Sequence, residues 1–463
     1  MFIGREKELS KLEECYRLPG VNTCCVYGRR QVGKSTLLKE FAKDKRHFYI
    51  QFNEESLYEC IARFQLALRN HFGIEMPMST PFTTMMAALA DECRKERTVI
   101  IIDEYPYIVD AYPSFPSILQ AFIDTDLAGA DALVIICGSS ISVMLDETTN
   151  YSRPLYQRFS RKMLVQPLSF LKCMEFHRNM SDIDAIKTYL AVGGIPKYHV
   201  MMDSDTFDEA FIKCFTGTGG LLNEGEQVVK AELSPSSPYT GIVTCIADGR
   251  NNIKEIKEAM GIGDSSQCRR MVERLVDLFI VRKVEPMLGA PMRPVRYAIE
   301  DNIVDFHYSV LRKFDDLRTS LHINPDTVLR VMRSEIDTFM GHSFERLCRD
   351  YIRMHRDATA IGTWWSPREG STNIDVVAKV IGRDLRTGYL LAECKFRRKE
   401  TRMDVMQDLL DRAKQTRGLV NPEYMIISVS GFAPNLREYA EDNGVALIGL
   451  DELLERGGDD PAP

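Results

Sequence analysis

The stretch Gly28-Arg29-Arg30-Gln31-Val32-Gly33-Lys34-Ser35 constrains this chain more than any other. It follows the apolar run Cys24-Cys25-Val26-Tyr27 and precedes Thr36-Leu37-Leu38-Lys39-Glu40-Phe41, a pattern that predicts a buried strand, a glycine turn and a helix. Glycines let the backbone fold tightly round an anion, and the unpaired N–H groups opening the helix point at the same place. In that setting Lys34 is expected to neutralise phosphate charge and the Ser35 hydroxyl to ligate Mg2+.

A phosphate loop calls for acids at the end of a neighbouring buried strand. The run Thr98-Val99-Ile100-Ile101-Ile102-Asp103-Glu104 supplies them, since a continuous apolar strand belongs in a parallel sheet covered on both faces. Asp103 is expected to hold the Mg2+ shell and Glu104 to polarise the water that attacks a γ-phosphate. A third apolar run, Leu133-Val134-Ile135-Ile136-Cys137, ends in Gly138-Ser139-Ser140, where Ser139 either reports the state of that phosphate by hydrogen bonding or simply turns the chain. Arg153, Arg158 and Arg161 follow as candidates for a guanidinium that stabilises the transferring phosphate, with surface salt bridging as the alternative.

At 463 residues the chain predicts two to four domains. Its 44% apolar and 27% charged residues are those of a water-soluble globular protein. No apolar run reaches membrane-spanning length, and Met1-Phe2-Ile3-Gly4-Arg5-Glu6 lacks the features of a signal peptide. Twelve cysteines without a C-x-x-C pair predict reduced thiols and a cytoplasmic setting, and the lack of a long apolar run predicts no membrane partner. The net charge of −7 excludes a broadly basic coat, although not a local nucleic-acid surface.

Two further segments carry chemistry. Ile253 to Met260 reads as a short helix, Asp264-Ser265-Ser266 caps a second one reaching about Leu278, and Phe279–Val284 with Val295–Ile299 form a hairpin. This is the spacing of a helix-turn-helix with a wing, with Gln267, Arg269, Arg270 and Arg274 on the candidate recognition helix. The local balance from 250 to 300 is ten Lys/Arg against seven Asp/Glu, which leaves DNA contact and protein contact both open. After a linker-like stretch near Leu317–Asp326, a helix is expected to open at Gly341 and to carry Glu345. Strands then follow at Ile361–Trp365, Asn373–Ala378 and Tyr389–Phe396. Alternation puts Glu393 and Lys395 on one face of the last strand, with Asp375 on its neighbour. Glu345, Asp375 and Glu393 are therefore expected to bind Mg2+ or Mn2+, and Lys395 to orient the water that attacks a phosphodiester. His342 is expected to be a surface or packing residue. Gln407, Arg412 and Lys414 line a cleft or a solvated face, and Asp459–Pro463 reads as a frayed tail.

The opening Phe2-Ile3-Gly4-Arg5-Glu6-Lys7-Glu8-Leu9, the phosphate loop with Arg29-Arg30, Ile102-Asp103-Glu104 and Gly138-Ser139-Ser140 together resemble the archaeal-type ATPases of the AAA+/STAND superfamily. Pro154-Leu155-Tyr156-Gln157-Arg158 and Gly193-Gly194-Ile195-Pro196-Lys197-Tyr198 are similar to further segments of that family, whose first segment usually carries glycine where Gln157 stands. The ordered set Glu345, Asp375, Glu393 and Lys395 resembles the PD-(D/E)XK nuclease fold, in the form of the domain of unknown function that often follows this ATPase module. The resemblance implies an α/β protein: a P-loop NTPase parallel sheet with a helical lid, a winged helix and a C-terminal restriction-endonuclease-like domain. The expected bounds are 1–175, 176–235, 236–320 and 330–456. ATP bound through residues Gly28 to Thr36, Asp103 and Ser139, with Glu104 and Arg158 as catalytic groups, would drive either a metal-dependent DNA phosphodiesterase or a regulatory switch. In the switch, the winged helix and an inactive nuclease-like domain bind DNA, a protein partner or a second copy.

Overall fold

The computed structural model describes residues 2–233, 237–285, 287–288, 295–365, 373–382, 385–416 and 418–455. They form two compact units, one of residues 1–172 with 194–197 and one of residues 173–193 with 198–463.

The first unit is a five-stranded parallel sheet. Its strands are β1 (Val21–Tyr27), β2 (His47–Gln51), β3 (Thr98–Asp103), β4 (Ala132–Gly138) and β5 (Arg161–Leu164), in the order β2-β3-β4-β1-β5. Every residue of β3 and β4 is buried, as the continuous apolar runs required. Each Ile or Val so buried stabilises the fold by roughly 1.5–3 kcal/mol, which is why these two strands lie inside the sheet. Helix Leu57–Phe72 begins at Ser56, whose side chain accepts from the Glu59 N–H while Glu59 reaches back to the Ser56 backbone. It packs Phe64 against Phe48 and Phe82. The segment before β5 turns at Gln157, whose φ of 60° lies in the left-handed region. Glycine enters that region without strain, and this is the physical reason for glycine at the matching place in the family segment.

In the second unit, helices Asp182–Val192, Phe207–Phe215 and Asn302–Ser309 pack against the long helix Pro325–His355. Phe211, Phe215, Phe306 and Phe339 form a ring chain with centroid separations of 5.5, 5.4 and 5.0 Å. Helix Phe207–Phe215 stops where Thr216 is extended, and Gly219 beyond it packs against the Cys214 carbonyl too closely for a side chain. Two expectations need correction here. Gly341 does not open a helix but sits inside one of 31 residues, capped at Asn324. The stretch from Leu317 is no free linker, because Arg318 is completely buried and donates to the carbonyls of Leu311 and Leu222 and to Asp315.

Helices Ile253–Met260 and Ser265–Asp277 form a helix-turn-helix, the second capped by Asp264 through the N–H groups of Ser266 and Gln267. An antiparallel ribbon of β6 (Val281–Val284) and β7 (Arg296–Ile299) follows, and most of the expected tip between them lies outside the described residues. The last sheet comprises β8 (Ala358–Trp365), β9 (Asn373–Ile381), β10 (Thr387–Lys395), β11 (Pro422–Ser428) and β12 (Ala446–Ile448) in the order β12-β11-β10-β9-β8. β8, β9 and β10 pair antiparallel, whereas β10, β11 and β12 pair parallel. Trp364 and Trp365 are both buried, Trp365 beneath the Arg296 guanidinium at 4.4 Å. The tail Asp459–Pro463 lies outside the described residues.

Candidate functional site

β1 runs straight into the glycine turn. Gly28 has φ 153° and approaches the Val165 carbonyl so closely that a Cβ would stand 2.5 Å from its oxygen, while Gly33 has φ 98°. Only glycine meets both demands, and the turn therefore delivers Lys34 as the first residue of helix Lys34–Ala42. Lys34 Nζ donates to the carbonyls of Gly28 and Arg29 at 2.8 and 3.0 Å, so its charge sits inside the loop. Arg30 reaches out to the Tyr107 hydroxyl at 2.8 Å. Beneath the loop, Arg5 is nearly buried and donates to the Val32 and Gln166 carbonyls, each at 2.8 Å. That buttress was visible only as a letter in the opening motif, since nothing local to Arg5 reveals which carbonyls it will meet.

The strand-end acids converge next to the loop. Asp103 is fully buried and accepts from the Tyr49 hydroxyl at 2.7 Å and from the Glu104 N–H at 3.0 Å. Tyr49 also meets the Ser35 hydroxyl, and burial beside Asp103 pushes its phenol well above its ordinary range. Ser35 and Asp103, a hydroxyl and a carboxylate, thus both reach the Tyr49 hydroxyl, and they are hard oxygen donors of the kind that could hold Mg2+. Tyr49 was not singled out in the sequence, although its place on the half-buried face of β2 was readable from the alternation. Glu104 has φ 51°, a strained backbone for a non-glycine residue, and its Oε2 accepts from Ser139 N at 3.2 Å and Ser139 Oγ at 2.9 Å. Thr36 is exposed on the first helical turn.

The arginines do not join this cluster. Arg158 pairs with Asp124 at 3.1 Å, and its carbonyl accepts from Thr23 in the first half of β1. Thr23 precedes Gly28 by five residues, about 16 Å along a strand. Arg153 pairs with Asp146 at 2.6 Å.

The second cluster lies where β9 and β10 meet. Lys395 Nζ stands 2.5 Å from Glu393 Oε1 and 3.9 Å from Asp375 Oδ2, and the Cys394 N–H donates to that same Asp375 oxygen at 2.9 Å. Burial, then the charge of Glu393, then that of Glu345 on the long helix, push the Asp375 carboxyl up to about 7, with Lys395 pulling the other way. Arg412 was one of several weak candidates on helix Met403–Gln415, yet it alone enters the cluster, with Nη1 3.0 Å from Glu393 Oε2. Its N–H is directed at the Asn373 carbonyl, so Oε2 is buried with a charge nearby and no hydrogen bond. Gln407 is exposed, and Lys414 pairs with Asp411. His342 stands 3.6 Å from Glu345, whose carboxylate raises its pKa.

Among the described residues no group of three or more His, Cys, Asp or Glu side chains is gathered to hold a metal ion. The three-acid ligand set is thus not assembled, because Lys395 lies between Glu393 and Asp375. What does fit a divalent cation is the pair Asp375 and Glu393, one carboxyl resisting ionisation and the other carrying an oxygen without a hydrogen bond.

The helix carrying Glu345 is fixed on its other sides. Arg346 binds Asp305 at 2.6 Å and the Glu300 carbonyl, Ser343 donates to the Leu190 carbonyl, and Arg333 forms a two-pronged pair with Asp208.

Residues 2–202 match the family described as an ATPase domain predominantly from Archaea, and residues 314–406 match one described as Archaea bacterial proteins of unknown function. The chain carries an archaeal-type ATPase domain. An uncharacterized protein of Methanocaldococcus jannaschii is 25% identical over 385 residues, covering 82% of this chain and 84% of its own length. An uncharacterized ATP-binding protein of the same organism is 41% identical over 46 residues, which are 10% of this chain and 78% of that protein. The Walker-type ATPase of Pyrococcus abyssi is similar in fold to this chain, with a TM-score of 0.52 at 20% identity, over 67% of this chain and 96% of its own. Among the described residues no helix is long and apolar enough to cross a membrane, and all twelve cysteines are buried.

The raised Asp375 carboxyl makes stability depend on pH. Its ordinary value is 3.8 and its folded value about 7, so the folded chain holds this proton more tightly than the unfolded one. The stabilisation is complete below about pH 4 and disappears as pH rises through 7. Asp375→Asn, which never ionises, should therefore melt above wild type at pH 8, by about 2–4 °C per kcal/mol recovered, with the gap closing near pH 4. Melting by differential scanning calorimetry at both pH values checks this, and a variant that melts lower at pH 8 contradicts it.

Proposed function

We propose that this chain is an ATP-hydrolysing protein whose C-terminal sheet is a divalent-metal-dependent phosphodiesterase acting on DNA. The observation that carries the second half is the meeting of Asp375, Glu393 and Lys395 on one face of β9 and β10, under the charge of Glu345. Carboxylates share such a face only at a cost that cations must offset; Lys395 and Arg412 do so here, and a divalent ion would do so where Lys395 moves aside.

In the ATPase domain, Lys34 exchanges the loop carbonyls for phosphate oxygens, and the Gly28–Thr36 backbone and side chains cradle the rest of the triphosphate. Ser35 and Asp103 would hold Mg2+, which shields phosphate charge when bound. Glu104 leaves Ser139 and accepts a hydrogen bond from the attacking water, while Ser139 turns to the γ-phosphate. Arg158 would act from one subunit on another, since its own chain holds it at Asp124. Replacing Glu104 by Gln should keep ATP affinity within about threefold and slow hydrolysis at least about a hundredfold, as loss of a catalytic base does. Calorimetric titration with ATP and phosphate-release kinetics read the two effects separately, and hydrolysis at the wild-type rate removes Glu104 from this role.

In the C-terminal domain, Asp375 and Glu393 would hold Mg2+ or Mn2+, which when bound polarises a phosphodiester and acidifies a water. Lys395, released from Glu393, would orient the attacking water, Glu345 would accept a hydrogen bond at the edge of the cluster, and Arg412 would keep Glu393 in place. The helix-turn-helix and its ribbon form a winged helix that places Arg269, Arg270 and Arg274 against a nucleic-acid backbone. The second reading is a switch that binds DNA or a protein without cutting, favoured by the short Lys395–Glu393 pair that fills the acid face. Wild type and Asp375→Ala, incubated with linear, circular and single-stranded DNA in Mn2+ with and without ATP, decide between them. Cleavage by wild type alone supports the enzyme. Binding without cleavage by either protein, in all conditions, supports the switch.

A further inference from the structure

A cavity of about 310 Å3 opens in the first unit between helices Tyr105–Ala111 and Ile141–Thr149, lined by Val109, Asp110, Ser142, Val143, Asp146, Glu147 and Arg153. Its volume is at the lower end of the range for small-ligand sites. The phosphate-binding machinery uses none of these residues. The key group is Glu147, whose side chain is 2% exposed while its Oε2 has no hydrogen-bond partner. A carboxylate so desolvated costs several kcal/mol unless a cation meets it. The nearest cation is Arg153, but its Nη1 stands 3.6 Å from Glu147 Oε1, and the Arg153 hydrogen bond goes to Asp146 at 2.7 Å. Arg153 is itself about half exposed, held on the rim rather than seated in the cavity. Burial accordingly holds the Glu147 carboxyl above its ordinary range.

We propose that this cavity is a binding site for an alkyl-guanidinium or alkylammonium group, which salt-bridges Glu147 and Asp146 and lays its carbon chain on Val109 and Val143. Arg153 is the internal competitor for that place. Three carboxylates face one arginine here, which leaves the wall negative, and two valines supply the apolar contact that an inorganic cation would not use. Position gives the site its consequence. One flanking helix begins directly after Glu104 and the other directly after Ser139 and Ser140, so an occupant bears on the Glu104–Ser139 pair, a consequence that rests on the hydrolysis step proposed above.

The test uses the full chain and agmatine as probe, by isothermal titration calorimetry at fixed salt. Wild type should bind, Glu147→Gln should bind about tenfold or more weakly, and Arg153→Ala about tenfold more tightly, the worth of one charge-assisted hydrogen bond in each direction. The gain in Arg153→Ala cannot come from misfolding. Sedimentation velocity distinguishes the sources of the cation. If a second copy supplies it, Arg153→Ala associates more strongly than wild type and agmatine disperses the complex; if a free ligand does, sedimentation is unchanged. Absence of agmatine binding by Arg153→Ala, or equal affinity in wild type and Glu147→Gln, overturns the proposal.

Discussion

Charge buried or half-buried at the ends of strands is the constraint that both sheets share. Asp103 and Glu104 sit where β3 stops, Glu393 lies near the end of β10 and Asp375 near the start of its antiparallel neighbour β9, and each is tied to an internal donor: Tyr49, Ser139, Lys395 and the Cys394 N–H. Those donors let an apolar strand end in a carboxylate without an unmet hydrogen bond at every oxygen. They also define what binding must do. A ligand gains only the difference between what it offers and what the internal partner already supplies.

The two clusters solve the same problem with different stiffness. Round the phosphate loop the backbone itself is committed: Gly28 lies against Val165, Glu104 takes a left-handed conformation, and Arg5 locks the loop from below. In the C-terminal domain the backbone is ordinary strand and the adjustment falls to side chains, chiefly Lys395 and Arg412. The long helix supplies the rigidity there. Arg333, Ser343 and Arg346 hold it to three other helical or loop segments of the same unit, so Glu345 is positioned by contacts far from the acids it influences.

Local pattern made much of this legible. The phosphate loop, the wholly buried β3 and β4 and the Asp264 cap follow from rules that act within a few residues, and Glu393 with Lys395 follows from strand alternation. Contacts across long sequence separations were not readable. Arg5, Tyr49 and Arg412 look like unremarkable members of a helix start, a strand and a solvated helix until the fold brings Val32, Asp103 and Glu393 to them. The same limit explains the errors. Leu317–Asp326 has the composition of a linker, but the fold buries Arg318 among carbonyls, and Gly341 has the look of a helix start although tertiary packing carries the helix through it.

The proposed chemistry of the C-terminal sheet depends on Asp375 and Glu393 together binding a divalent cation when Lys395 moves aside. Anomalous diffraction at the manganese edge, from crystals of the full chain soaked in Mn2+ above pH 7, measures this directly. One peak is expected within about 2–2.5 Å of an oxygen from each carboxylate, with Lys395 Nζ no longer on Glu393. Density that keeps Lys395 on Glu393, with no manganese peak between the two acids, would contradict it.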